Sequence, residues 1–371
     1  MLKVADKLSH IDQLRGVAIL LVLLVHVCQS QGTVSPLLYI ISDFGKIGVQ
    51  LFFFLSAYTL CLSFSNGRDL STGNFYIRRY FRIAPLYYTG ILVYYLISGV
   101  PALHSNGALS HAESYTMSNV VANLLFVHGM VPPANNGIVP GGWSIGTEML
   151  FYAMFPAIYF VYSRYRSVRS IILIPILAFL MANAFAVVAY YAGAQVFSDL
   201  FYYYFILNQL PVFTVGLSYF FLEKAGYFKA SRMFSVLTFA VLISIAFVAM
   251  YKLDHNISLS IFVASLSFCF LFTFFKQSNF KFRLLARIGQ LSFSIYIFHF
   301  LFAWPLSTAL AARLSMHLHP YLVYAICYVV VLMLSMMVAT ISEYLIEKPG
   351  IDLGKQLIRK RQGRAVFTRS K

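Results

Sequence analysis

The sequence predicts an all-α integral membrane protein of about ten transmembrane helices with N- and C-termini cytoplasmic, and three observations predict it. Of the 371 residues, 60% are hydrophobic and 11% charged, with mean hydropathy +0.75, a balance no water-facing surface could carry. Apolar stretches of about 18 residues or more, long enough to cross a ~30 Å hydrocarbon core as helices, recur along the whole chain. The cations fall in the short connections between these stretches, almost all on one side.

Taken in order, spans are expected at 16–36, 44–65, 83–100, 141–163, 170–192, 200–222, 234–251, 257–275, 289–311 and 321–346. With the N-terminus inside, Lys46, Lys252 and Arg313 are the only outside residues among the 28 Lys and Arg. The inner connections carry Arg68, Arg78, Arg79 and Arg82, then Arg164, Arg166 and Arg169, then Lys224, Lys229 and Arg232, then Lys276, Lys281, Arg283 and Arg287. A transmembrane unit over 1–350 followed by a basic cytoplasmic tail over 351–371 is the expected organisation. Lys3, Lys7 and Arg15 ahead of the apolar run Val17 to Val25 imitate a secretory signal, but no small-x-small cleavage site follows.

Topology accounts for the net charge of +16, so no nucleic-acid partner is expected; membrane lipids are. Cys28, Cys61, Cys269 and Cys327 lie in apolar runs and read as packing, and no metal is expected. The external connection 101–140 lacks Lys and Arg, contains His104, His111, His128 and a turn-rich Val131–Gly137, and has the length of a functional lid. Neither an internal repeat nor a low-complexity segment is visible.

Ionisable side chains inside spans are costly and mark cavities or partners. His26 follows Arg15 by eleven residues, roughly 16 Å at the helical rise, which is near the bilayer middle. A neutral imidazole there is available as a proton acceptor; the alternative is a packing hydrogen bond between helices. Glu148 lies five residues, or about 8 Å, beyond Trp143 in a span running the other way, where it could share His26's depth and orient the ring, or simply bond a neighbouring Ser or Tyr. Trp143 has the character of an interface residue. His299, twelve residues past Arg287, reaches a similar middle depth as a site wall or a helix-bonding residue. Arg79 and Arg82, three residues apart on one helix face, suit phosphate by planar multidentate bonding, or else mark topology or pair with Glu343 or Glu347.

Several motifs together resemble those of the membrane acyltransferase family 3, the bacterial-type multi-pass O-acyltransferases of ten spans that act on cell-surface carbohydrates. Ile11-Asp12-Gln13-Leu14-Arg15-Gly16 followed by His26 is similar to the family's opening. Phe52-Phe53-Phe54-Leu55-Ser56 resembles its second motif, and Arg79 with Arg82, Ile83 and Pro85 its third. Gly142-Trp143-Ser144-Ile145-Gly146-Thr147-Glu148 resembles the tryptophan-serine-to-glutamate motif. Ser294-Ile295-Tyr296-Ile297-Phe298-His299 and Glu347-Lys348-Pro349 resemble the closing pair. The matches run in order from residue 11 to about 350; Ala57-Tyr58 departs from the family's usual glycine then phenylalanine.

The resemblance implies a stand-alone transferase of the cell inner (cytoplasmic) membrane. Acetyl-CoA or another acyl-CoA is the implied donor, its phosphates meeting Arg15, Arg79 and Arg82. The implied acceptor is a hydroxyl of a polysaccharide or lipid-linked glycan, in a pocket with Trp143, Ser144, Tyr296 and His299. His26 is the implied catalytic base or acyl carrier, assisted by Glu148. A glycolipid or solute transporter or flippase is the competing expectation from the spans alone, and a non-catalytic envelope sensor or assembly partner a third.

Overall fold

The computed structural model describes residues 9–31, 35–67, 71–98, 114–191, 199–252, 256–278 and 281–369. His104 and His111 of the expected lid lie outside these residues. Among the described residues the secondary structure is helical, and eight helical stretches are long and apolar enough to cross a membrane, nine with one bent pair. The expected third span is the difference from ten. It lies on a 27-residue helix, Thr72–Ser98 (α4 below), long enough at ~40 Å but made polar in its first half by Arg78, Arg79 and Arg82.

The first helix, α1 (Ser9–Gln29), starts before the expected Gly16. Its early charges are partnered: Arg15 donates to Asp12 at 3.3 Å, and Gln290 Nε2 donates to Asp12 Oδ2 at 3.2 Å. The short helix α12 (Arg283–Gln290) can press this closely because the crossing is glycine on both sides. A Cβ on Gly289 would lie 1.7 Å from the Asp12 carbonyl oxygen, and one on Gly16 2.3 Å from that of Leu285.

Next come α2 (Pro36–Phe44), opened by Pro36 and capped by the Ser35 hydroxyl, and α3 (Ile47–Ser65). They form one 30-residue apolar stretch broken at Gly45 and Lys46. After α4 (Thr72–Ser98), α5 (Met117–Leu124) and two short 3-10 turns build a cap that leads into α6 (Gly142–Arg164). Then follow α7 (Val168–Tyr191), α8 (Asp199–Tyr204), α9 (Ile206–Lys224), α10 (Arg232–Tyr251) and α11 (Ile257–Gln277). The stretches Pro36–Ser65 and Phe201–Lys224 are each 72% buried, whereas α7 and α10 are 22% buried; the former are therefore the bundle's centre and the latter its apolar periphery, the faces suited to lipid.

The ninth crossing is bent by 43° at His299, between α13 (Ser292–Phe298) and the run formed by α14 (Phe300–Ala303) and α15 (Pro305–Leu314). Pro305 lies just past the bend. The last crossing, α16 (Pro320–Ser342), continues through a π-helical turn, Glu343–Glu347, into α17 (Lys348–Arg369), whose Gly350 and Gly354 lie against Pro85 and Phe81 of α4. The π turn aims both its carboxylates at partners: Glu343 takes Arg287 at 2.7 Å and Lys348 at 3.4 Å, and Glu347 accepts from Ser294. The two closing motifs thus meet through Ser294 and Glu347.

Candidate active site

Two cavities lie one beyond the other in the centre of the bundle, with Val49 and Tyr296 lining both. The first, about 780 Å³, is reached along α1 beyond Val22 and holds His26. The second is a narrow space of about 90 Å³ around Arg15, Arg79, Arg82 and Glu148. Their separation corrects one expectation. Glu148 and His26 belong to different cavities, because Trp143, from which the depth of Glu148 is counted, itself lines the His26 cavity, and five residues further on Glu148 falls in the cavity of Arg15.

In the His26 cavity the imidazole is oriented by Gln29, one turn further along α1, whose side-chain oxygen lies 3.0 Å from Nδ1. With an acceptor there, Nδ1 bears the hydrogen and Nε2 keeps its lone pair. Behind His26 stands His299, fully buried, its ring centroid 5.2 Å away and Phe300 beside both rings. His299 Nδ1 donates to the Tyr296 carbonyl at 2.8 Å, while among the described residues its Nε2 is buried without a partner. His299 therefore backs the His26 ring and does not line the space itself. Trp143, expected at an interface, is instead 6% exposed and stacked on Tyr204 at 4.5 Å, facing the cavity with Tyr203, Tyr251 and Trp304.

The partition between the cavities is tied down by hydrogen bonds. Tyr296 donates to the Gly141 carbonyl at 2.9 Å and accepts from Ser144 at 2.7 Å. Gly141 adopts φ +76°, which glycine takes without strain, to turn the cap chain into α6 at this point. The cap is held from the other side by His128, whose Nε2 lies 3.0 Å from the Gly142 carbonyl and 3.1 Å from the Tyr87 hydroxyl, itself bonded to Asn123 at 2.6 Å. Burial drives the His128 pKa down to about 4.

In the arginine cavity Glu148 accepts from Ser56 at 2.6 Å and Tyr152 at 2.5 Å. The Arg79 guanidinium lies 5.7 Å from the ring centres of both Phe75 and Tyr152. Arg15 pairs with Asp12, whereas Arg82 has no ion pair among the described residues, and Glu343 is taken by Arg287 and Lys348. The cavity is therefore a cationic mouth holding one hydrogen-bonded carboxylate, walled by Phe52, Phe53 and Ile83. Planar guanidiniums in this setting suit phosphate oxygens.

The sequence pointed to His26, Glu148 and the arginines, and these do line cavities. It missed Gln29, Asp43 and Lys46 in the first cavity and Tyr152 in the second. Gln29 was findable as the polar residue one turn from His26, and Asp43 with Lys46 as two opposite charges three residues apart in an apolar stretch.

Fold and cavities together define a polytopic membrane protein with a cationic pocket set against an aromatic one. The chain belongs to the acyltransferase domain family, whose match runs over residues 8–341. It is 31% identical over 159 residues to the acyltransferase MdmB of Streptomyces mycarofaciens, covering 41% of this chain and 39% of that protein. It is 31% identical over 126 residues to the exopolysaccharide production protein ExoZ of Rhizobium meliloti (strain 1021), covering 33% of this chain and 37% of that protein. These alignments thus span well under two thirds of either relative. No solved structure matches the chain significantly.

Proposed function

We propose that the protein is a transmembrane O-acyltransferase of the cytoplasmic membrane that moves an acyl group, in the first instance acetyl, from acyl-CoA to a hydroxyl of a cell-envelope or exported carbohydrate. The observation that carries this reading is the back-to-back pair of cavities, cationic and aromatic, with the open imidazole nitrogen of His26 in the second. The abundance of Lys and Arg at the arginine end orients that end to the cytoplasm, where acyl-CoA is made. The relative named for exopolysaccharide production supports a carbohydrate acceptor.

In this reading Arg82, Arg79 and Arg15 hold the donor's phosphates, and the thioester arm reaches past Tyr296 toward His26. The acceptor hydroxyl loses its proton to His26 Nε2 as its oxygen attacks the thioester carbon. The tetrahedral intermediate then collapses, breaking the carbon–sulfur bond, and the departing thiolate takes the proton back from the imidazolium. Gln29 keeps the ring in the tautomer this requires. Glu148 acts in the arginine cavity, fixed by Ser56 and Tyr152, as the counter-charge that spaces the guanidiniums.

Proteoliposomes containing the full chain and given acyl-labelled acetyl-CoA should release free CoA and label added envelope carbohydrate. Carbohydrate crossing the bilayer unlabelled, without CoA release, would instead identify a transporter.

A further inference from the structure

The wall of the His26 cavity formed by α2, α3 and α10 holds a polar group that the transfer step leaves unused. Asp43 at the end of α2 and Lys46 in the break before α3 form an ion pair, and Tyr251, the last residue of α10, donates to Asp43 Oδ2 at 2.8 Å. All three line the cavity. Both charges stand at the break between α2 and α3, a polar pair within an otherwise apolar stretch. The carboxylate is 11% exposed and the ammonium 39%, so both still reach the cavity.

Their bonding capacity is only partly used. A carboxylate offers about four lone-pair sites, and Lys46 with Tyr251 fills about two of them. An ammonium offers about three donors, and Asp43 takes one. What remains is a set of acceptors and donors side by side, the complement of adjacent hydroxyls on a sugar ring. Trp143 and Trp304 line the same space and give it aromatic surface to which a sugar's C–H face can pack. The pair's charges cancel, so this wall carries no net charge to draw in an acidic sugar.

We propose that Asp43, Lys46 and Tyr251 form the recognition subsite for a neutral pyranose with adjacent free hydroxyls, which holds the acceptor against His26. The proposal rests on the assignment of this cavity to the acceptor. The chain's 2 tryptophans, Trp143 and Trp304, both line the cavity, so intrinsic fluorescence of the full chain in nanodiscs reports its occupancy. Titration with methyl glucoside, mannoside and galactoside should give a saturable change with at least one of them. Asp43→Asn and Lys46→Met should each raise its Kd about tenfold, the scale of a hydrogen bond to a charged group. Lys46→Met leaves the Asp43–Tyr251 contact in place, which separates recognition from support of the helix break. The monodeoxy analogue lacking one of the adjacent hydroxyls should bind wild type weakly and lose nothing further in Asp43→Asn.

Wild-type affinity in both variants, no response to any neutral glycoside, or a preference for methyl glucuronoside overturns the proposal. Transfer from labelled acetyl-CoA is followed in the same samples. Binding that depends on Asp43 without acyl transfer would count against the transferase reading and leave the subsite standing.

Discussion

The two cavities share α1, α3, α6 and α13 and the side chains of Val49 and Tyr296, yet they differ in width and in the chemistry of their walls. One is wide, at about 780 Å³, and rich in aromatic faces; the other is narrow, at about 90 Å³, and edged by three arginines. A wide aromatic space with a few hydroxyl-matching groups suits a sugar, and a slot with guanidiniums at its mouth suits a phosphorylated carrier with a thin arm. On the proposed reading, the contrast separates the recognition of two reactants by depth and joins them at one partition, where the chemistry needs only a base.

Substitutions that act on one cavity and spare the other test this division. The largest effect is expected from His26→Ala, which should lower transfer about 10²- to 10⁴-fold, the usual contribution of a general base, while acyl-CoA binding measured by dialysis is unchanged. Substantial residual transfer would move the chemistry elsewhere. Arg82→Ala should raise the acyl-CoA KM roughly 10- to 100-fold, as expected for losing a charge-assisted bond to phosphate, with the acceptor KM unmoved. A change in the acceptor KM instead would merge the two cavities into one functional site.

The cap over the His26 cavity carries a pH dependence of its own. His128 has a folded pKa of about 4, below its ordinary value of 6.5. The neutral ring therefore supports the closed cap fully above about pH 6.5, and that support is lost as pH falls from there toward 4. Hydrogen exchange of residues 114–140 should accordingly show roughly tenfold more opening at pH 5.5 than at pH 7.5, after correction for intrinsic rates. Equal protection at both pH values would refute it. The smallest effect is expected from Gln29→Leu, which removes one hydrogen bond from His26: kcat should fall about fivefold with both KM values held.

Much of this is legible in the sequence. Hydropathy and the placement of cations give the all-helical membrane class, and the ionisable residues left inside or at the ends of spans include His26, Glu148, Arg15, Arg79 and Arg82, which line the two cavities. What hydropathy undervalued was α4, whose Arg79 and Arg82 face the central slot and so depress an average that assumes lipid on every side. What depth arithmetic misplaced was Glu148: its depth is counted from Trp143 as an interface residue, yet Trp143 lines the His26 cavity, so the carboxylate falls in the cavity of Arg15, where Ser56 and Tyr152 take it while Gln29 takes the imidazole. Lys46 counts in the sequence as an outside cation; its pairing with Asp43 across the break between α2 and α3 shows only in the tertiary structure. Trp143 likewise gave an interface signal, although stacking on Tyr204 holds it inside.

The central claim is that donor and acceptor enter from opposite faces and meet at the Tyr296 partition. Proteoliposomes with the chain in one orientation, carbohydrate sealed inside and labelled acetyl-CoA supplied outside, test it directly. Vesicles exposing the arginine end outward should label the enclosed carbohydrate, and those of the opposite orientation should not. Equal labelling in both orientations, or labelling only when donor and acceptor share one side, would contradict the account.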